Sequence, residues 1–285
     1  MSDVKIAVVT GSNKGIGYGI VKGLCERFDG KVYLTARNVS RGIEAVKKLN
    51  ALGLKPFLHQ LDVTDQESIN KFRDHLLKEH QGIDILINNA AIGFGDDAPE
   101  PFIQQAEDTI NVNYYGLLNV CRTLFPLMKR NGRVVNISSS LGHLHWIPSD
   151  DLKKKFSDPT LTIEKLNQLI DKFVSDVKLG KHEDEGWGNN SECTYRVSKA
   201  GVSALSIIQQ KKFDEECPNR NISVNSVHPG FVDTDLTAHL GELTIEEGAE
   251  APLFLALEEH GFKGKYVWCD KNPIEWSTGI PPSQY

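Results

Sequence analysis

Tyr195 and Lys199 stand four residues apart in Tyr195-Arg196-Val197-Ser198-Lys199. On a helix that spacing puts phenol and ammonium on one face, close together. A free phenol titrates near pH ~10 and is a poor acid-base group at neutral pH. A neighbouring ammonium favours the phenolate and lowers that value toward a useful range. The chemistry that calls for such a phenol is proton delivery. A carbonyl that receives a hydride becomes an alkoxide and needs a proton. Y-x-x-x-K is common by chance, and its plain alternative is an exposed amphipathic helix.

A second group of candidates is the serine run in Asn136-Ile137-Ser138-Ser139-Ser140. It ends an apolar run, residues 133–137. A hydroxyl at the carboxyl end of a strand can donate to a carbonyl oxygen and stabilise developing negative charge. Physics alone does not choose among the three serines, and a simple turn is the competing reading.

A hydride donor needs a site, and the amino-terminal region offers one. Thr10-Gly11-Ser12-Asn13-Lys14-Gly15-Ile16-Gly17 follows the first apolar run and opens a helical segment. Glycines at G-x-x-x-G-x-G allow a tight turn and close approach of backbone to a pyrophosphate, beside the free N–H groups of a helix start. A glycine triplet alone can be only a turn. Its position between the first strand and the first helix favours a dinucleotide site. The end of the second strand reads Ala36-Arg37-Asn38. An Asp or Glu that would accept from a ribose 2′-hydroxyl is missing there. The guanidinium of Arg37, with Lys14 in the glycine loop, suits a 2′-phosphate instead. Each cation alone would read as a solvated surface charge. Together they favour NADP(H) over NAD(H). Asp62 and Val63, after the third strand, either border the adenine or belong to a helix start. Asn89 and Ala90, after the fourth, lie at the ligand-binding edge of the sheet or form a structural turn.

The elements that must position these groups alternate. Strand-like runs fall at residues 6–9, 32–35, 57–61, 83–87, 133–137, 222–227 and 265–269, the last of these the expected final strand. Helical patterns fall at 16–28, 41–52, 66–80 and 195–215. Strands about 25 residues apart with helices between them signal βαβ units. Continuous apolar strands fit a parallel sheet covered on both faces. The expected fold is α/β, a doubly wound, Rossmann-like parallel sheet. Residues 141–192 break the rhythm. Leu166, Leu169, Ile170, Phe173, Val174 and Val177 mark one amphipathic helix there, with Thr162 as its N-cap. The expectation is one domain over 1–285 with a helical insertion at about 141–192.

Bulk composition narrows the partners. The net charge is −6, which disfavours nucleic acid and anionic membranes. No apolar run approaches the ~20 residues of a membrane span, and the first residues do not read as a signal peptide. The five cysteines, Cys25, Cys121, Cys193, Cys217 and Cys269, form no C-x-x-C pair. They read as reduced thiols of a cytoplasmic protein without a metal site.

In order and spacing, Thr10–Gly17, Asn88-Asn89-Ala90, Asn113, Ser139, Tyr195/Lys199 and Pro229-Gly230 resemble the short-chain dehydrogenases/reductases over nearly the whole chain. The resemblance implies a substrate-orienting Ser139 and a general acid Tyr195. It implies that Lys199 holds the nicotinamide ribose and that Asn113 anchors a water linking Lys199 to solvent. It places the nicotinamide carboxamide on Pro229-Gly230-Phe231-Val232-Asp233-Thr234, mainly through Val232 and Thr234. Ser139 and Tyr195 are separated by 56 positions, where most of the family keeps roughly a dozen. The added block is similar to the monomeric, NADPH-dependent carbonyl reductases, as are Phe156, Lys172-Phe173-Val174 and Glu185-Gly186-Trp187. That similarity implies a monomer reducing quinones, aromatic ketones and reactive aldehydes. An NADPH-binding sensor with little turnover, or an NADP-linked alcohol or hydroxysteroid dehydrogenase, are the alternatives. Three positions depart from the pattern. Ala91 stands where the family usually has glycine. His228 and Phe231 flank Pro229-Gly230 where vertebrate members commonly have cysteine and tryptophan. His228 is either a second acid-base group or a strand-end histidine with a structural hydrogen bond.

Overall fold

The computed structural model describes residues 4–95, 97–189 and 192–282. The strands are β1 (Lys5–Val9), β2 (Gly30–Ala36), β3 (Phe57–Gln60), β4 (Ile83–Asn88), β5 (Met128–Ile137), β6 (Ser223–Val227), β7 (Tyr266–Val267) and β8 (Pro273–Ile274). They form one sheet in the order β3-β2-β1-β4-β5-β6-β7-β8. Every pairing is parallel except the last. The order reverses between β1 and β4, which pair through Val9 and Ile87. In such sheets the ligand crevice opens beyond the carboxyl ends at this switch point.

The helices are α1 (Gly15–Arg27), α2 (Val39–Ala51), α3 (Gln66–Glu79), α4 (Phe102–Ile110), α5 (Leu117–Leu124), α6 (Asp150–Phe156), α7 (Ile163–Lys178), α8 (Glu192–Glu216) and α9 (Ile245–Leu257). Strand alternation sorts the core onto two faces. Ala7 and Val9 of β1 pack with Ile20, Leu24, Leu49 and Leu253, from α1, α2 and α9. Ile6 and Val8 pack with Ile69, Phe72, Val120 and Phe213, from α3, α5 and α8. Burial on both faces is why the strands read as unbroken apolar runs. The doubly wound α/β fold is therefore present.

Several elements depart from the sequence reading. β5 begins at Met128 rather than 133, and its polar first half, Lys129-Arg130-Asn131-Gly132, hid that start from the apolar pattern. That half contains a kink at Asn131, φ 62°, and the register with β4 shifts there. The pattern at 265–269 gives only the two-residue β7, and β8 follows it antiparallel. Residues 102–124 are helical throughout, with a π-helical turn at Asn111–Gly116. Asn111, Asn113 and Gly116 are poor helix formers and hid that element. Gly248 and Pro252 hid α9 in the same way.

The segment 141–192 contains α6 and α7, and the Thr162 side chain accepts from Lys165 N at the start of α7. Its three motifs meet. The rings of Phe156 and Phe173 lie 6.4 and 5.3 Å from Trp187. The buried indole donates to Asp176 at 2.7 Å. Lys172 reaches Asp176 at 2.6 Å and Glu185 at 2.8 Å. Trp187→Ala both opens a cavity and leaves a buried carboxylate without its indole donor. We expect it to lower unfolding free energy by about 3–5 kcal/mol, measured by urea denaturation. A change below about 1 kcal/mol would show that this cluster does not anchor the insertion.

Candidate active site

The glycine loop caps the carboxyl end of β1. Gly11 and Gly15 adopt φ +60° and +57°, the left-handed region that favours glycine. A methyl on Gly17 would lie 2.4 Å from the Asn89 amide nitrogen, so the loop also needs glycine for close packing. Asn89 is a brace for the loop. Its amide nitrogen donates to Thr10 O at 3.0 Å and Gly11 O at 2.9 Å. Thr10 Oγ1 accepts in turn from the backbone of Asn89 and Ala90. Asn13 is half-buried and Ile16 partly so. Ala91 lies outside the left-handed region, so its methyl carries no backbone strain.

The loop fits a pyrophosphate by donor chemistry. Lys14 precedes α1 in an extended conformation and gives it no side-chain cap, and the first turn holds no acidic residue. The amino-terminal N–H groups of α1 are thus left for an anion. Arg37 is exposed just past β2, while Asn38 caps α2 through Arg41 N. Lys14 makes one further contact. It is exposed but ion-paired with Asp235 at 2.5 Å, across the loop that follows β6. Asp62 does not cap α3. Asp65 does so, through Glu67 N. The Asp62 carboxylate instead closes a local turn on Thr64 N and Oγ1, at 2.9 and 2.7 Å. Val63 is buried in the core.

β5 ends at the serine run, and the structure separates its members. Ser138 is buried and bonded to Ser203 Oγ at 2.8 Å and Lys199 O at 3.2 Å. Ser140 is buried, with its N–H on His228 Nδ1 at 2.9 Å. Ser139 is partly open, and its side chain lies near enough to the Tyr195 phenol to lower its titration. Gly142 lets this turn lie against α8. A methyl there would come within 2.5 Å of Ser138 Oγ and 2.9 Å of Lys199 O.

Tyr195 and Lys199 share a face of α8, with Lys199 Nζ 5.5 Å from the phenol ring centre. The electrostatics depart from simple tuning. Burial pushes the phenol up to about 12, against a lowering by Ser139. Burial pulls Lys199 down to about 7. The ammonium is aimed at Ile137 O, 2.8 Å away, and not at the phenol oxygen. Desolvation therefore outweighs attraction in the protein alone, and the phenol rests protonated.

Asn113 lies in the π-helical turn and is buried. Its Oδ1 accepts from Ile92 N, and its Nδ2 donates to Ile92 O and Ser198 Oγ. Ser198 bonds Tyr195 O. Asn113 thus ties the loop after β4 to α8, and all of its side-chain polar atoms are engaged. Beyond β6, Pro229 is buried and Gly230 turns the chain at φ 94°. Val232 is buried against Gly248 of α9, and its carbonyl accepts from Thr237 Oγ1 at 2.6 Å. The Thr234 methyl lies 3.6 Å from where a Gly15 side chain would begin. The segment therefore folds back over the glycine loop. His228 is buried and pushed down to about 3 by that burial. It is neutral at ordinary pH and cannot act as an acid. Phe231 is half-buried. Sequence reasoning missed Tyr266, whose hydroxyl donates to Ser139 O at 2.6 Å. It also missed Leu236, which comes up beside Tyr195 at Gly93. Neither carries a motif.

All five cysteines are free thiols. Among the described residues no cluster could hold a metal ion, and no helix is long and apolar enough to cross a membrane.

Known proteins agree with this architecture. The short chain dehydrogenase family profile matches residues 5–149. Carbonyl reductase [NADPH] 1 of Sus scrofa is 47% identical over 288 aligned residues, covering 100% of this chain and 98% of its own. The structure of salutaridine reductase from Papaver somniferum superimposes with TM-score 0.83 at 31% identity, over 92% of this chain and 99% of that one. Menthone neomenthol reductase from Mentha piperita gives TM-score 0.77 at 30% identity, over 94% and 99%. With its switch-point glycine loop, its β5 serine and its helical Tyr-Lys pair, the chain belongs to the short-chain dehydrogenase family.

Proposed function

We propose that this protein is an NADPH-dependent carbonyl reductase acting on quinones, aromatic ketones and reactive aldehydes. The observation that carries the reading is the meeting of Ser139, Tyr195 and Lys199 at the carboxyl end of β5, beside the glycine loop. The 47% identical relative is named for NADPH and carbonyl reduction, and both structural neighbours above are reductases.

NADPH supplies the hydride. Gly11, Asn13, Gly15, Ile16 and Gly17 present backbone to its pyrophosphate. Arg37 and Lys14 would hold the 2′-phosphate. The exposed Lys14–Asp235 pair is weakly held in water, so Lys14 is available to it. Asp62, Val63, Asn89 and Ala90 border the adenosine side, Asn89 indirectly through its grip on the loop. Pro229, Gly230, Val232 and Thr234 border the nicotinamide. Ser139 orients the carbonyl oxygen, and Tyr195 gives it the proton. Lys199 holds the ribose and replenishes the phenol proton. Asn113, its side chain engaged with Ile92 and Ser198, would anchor the water that links Lys199 to solvent.

We also read the chain as one domain with the 141–192 insertion, a monomer in the cytoplasm. Leu166, Ile170 and Phe173 of α7 pack in one core with Val197, Val202 and Leu205 of α8. They occupy a face of α8 that would otherwise be open to a partner copy. A solution mass near the chain's 31.7 kDa is the expected sedimentation result, and a dimer would overturn it.

The direct test is loss of NADPH absorbance with a panel of quinones, aromatic ketones and aldehydes, run beside NADH. Turnover preferring NADPH is expected. Tight NADPH binding without turnover of any carbonyl would instead favour the sensor reading. The phenol's elevated titration adds a pH prediction. Reduction needs the protonated phenol, so the single-turnover rate of reduction should stay level on the alkaline side from pH 7 to 9, resupply through Lys199 bearing only on later turnovers. Alcohol oxidation with NADP+ needs the phenolate and should climb over that range. A reduction rate falling tenfold per pH unit above 8 would assign the proton to another group.

A further inference from the structure

The peptide joining Ser139 to Ser140 is gripped from both ends. Its carbonyl oxygen accepts from Tyr266 Oη at 2.6 Å. Its N–H donates to His228 Nδ1 at 2.9 Å. The two side chains come from different elements, the end of β6 and β7. Their backbones are tied by His228 N donating to Val267 O at 2.9 Å. Trp268 packs against both rings, 4.3 Å from His228 and 6.3 Å from Tyr266. Tyr266, His228 and Trp268 are all buried. They form one packed block against the 139–140 peptide, while the Leu141 N–H donates to Ser139 Oγ.

The chemistry of the two gripping groups is fixed. An Nδ1 that accepts a backbone N–H leaves the ring hydrogen on Nε2, so His228 must be the neutral tautomer. Burial keeps it neutral to far below physiological pH. Burial likewise keeps the Tyr266 hydroxyl protonated, so its donor role persists. The orientation of a peptide plane sets ψ of the residue before it. Ser139, at ψ 160°, therefore has its backbone set by these two side chains. A hydroxyl that must meet both a phenol and a substrate oxygen works only within a narrow positional range.

We propose that Tyr266 and His228 are positioning residues that clamp the 139–140 peptide and thereby aim Ser139 Oγ at the Tyr195 phenol and the substrate carbonyl. The proposal rests on the reading of Ser139 given above. Neither side chain needs to touch substrate. His228 serves as an acceptor and not as an acid, which makes asparagine its functional substitute, because Asn Oδ1 falls close to where His Nδ1 lies.

The test is a set of variants of the full chain, assayed with NADPH and the carbonyl compound that wild type turns over fastest. Ser139→Ala is the reference and should lose about 100-fold in kcat. Tyr266→Phe should lose about 10-fold or more in kcat with the KM for NADPH within twofold. In the Ser139→Ala background the same Tyr266→Phe change should cost less than twofold, because the group it aims is gone. His228→Asn should keep kcat within about threefold, while His228→Leu should lose about 10-fold. Equal cost of Tyr266→Phe in both backgrounds would overturn the clamp, as would equal activity of the two His228 variants. The His228 pair decides the matter if Tyr266→Phe does not fold. Full activity in Ser139→Ala would sink the underlying reading of Ser139. Loss there with an unaffected Tyr266→Phe would sink the clamp alone.

Discussion

Tyr195→Phe should lower kcat for carbonyl reduction by about 10³-fold while leaving NADPH affinity within about twofold. The substitution removes one oxygen and keeps the ring, which lies beside Gly93 and Leu236. It removes the phenol, which burial keeps protonated at neutral pH beside Ser139. General acid catalysis is worth about 10²–10⁴ in rate, and the hydroxyl also stabilises the developing oxyanion. Lys199 does not replace it. Its nitrogen is committed to Ile137 O and lies 5.5 Å from the phenol ring centre. Single-turnover kinetics and NADPH fluorescence titration separate the two quantities. Retention of more than a tenth of wild-type kcat would assign the proton to water or to another side chain.

Arg37→Asp should reverse cofactor preference. The kcat/KM with NADPH is expected to fall about 100-fold, and that with NADH to hold or rise. A charge-assisted hydrogen bond is worth about 1.5–3 kcal/mol, and about 1.4 kcal/mol is a factor of ten. The introduced carboxylate adds repulsion against a 2′-phosphate and offers an acceptor to a 2′-hydroxyl. Arg37 is exposed, so the change should shift stability by no more than about 0.5 kcal/mol. The cofactor effect is therefore readable without a folding artefact. An unchanged NADPH-to-NADH ratio would remove Arg37 from the site and leave Lys14 to account for any preference. The exposed Lys14–Asp235 pair is weak enough in water for Lys14 to take that role.

The strands of the sheet and the candidate residues at its edge were legible from local pattern. A parallel strand buried on both faces must be apolar throughout, and a pyrophosphate turn must be glycine at fixed spacing. Both constraints are local, so β1–β4, the glycine loop, Arg37 and the Tyr195/Lys199 pair could be read from neighbouring residues alone. The α7 helix was legible for the same reason, through its apolar stripe and its Thr162 cap. Where local signals were weak, the reading failed. The helix across 102–124 carries asparagines and a glycine, α9 carries a proline, and the first half of β5 is charged.

Assignments that depend on partners far apart in the chain came only with the folded arrangement. Ser139 is distinguished from Ser138 and Ser140 by what α8 and His228 take up. Asn89 became a brace because Gly17 leaves room for its amide, and Asp62 became a turn residue because Asp65 caps the helix. The sharpest case is the pair that sequence spacing placed side by side. Four residues on a helix predicted an ammonium lowering a phenol. The fold buries both and turns the ammonium toward Ile137, so desolvation wins and the phenol stays a proton donor. Spacing fixes which groups are neighbours. Burial, which no short stretch of sequence encodes, fixes their charge.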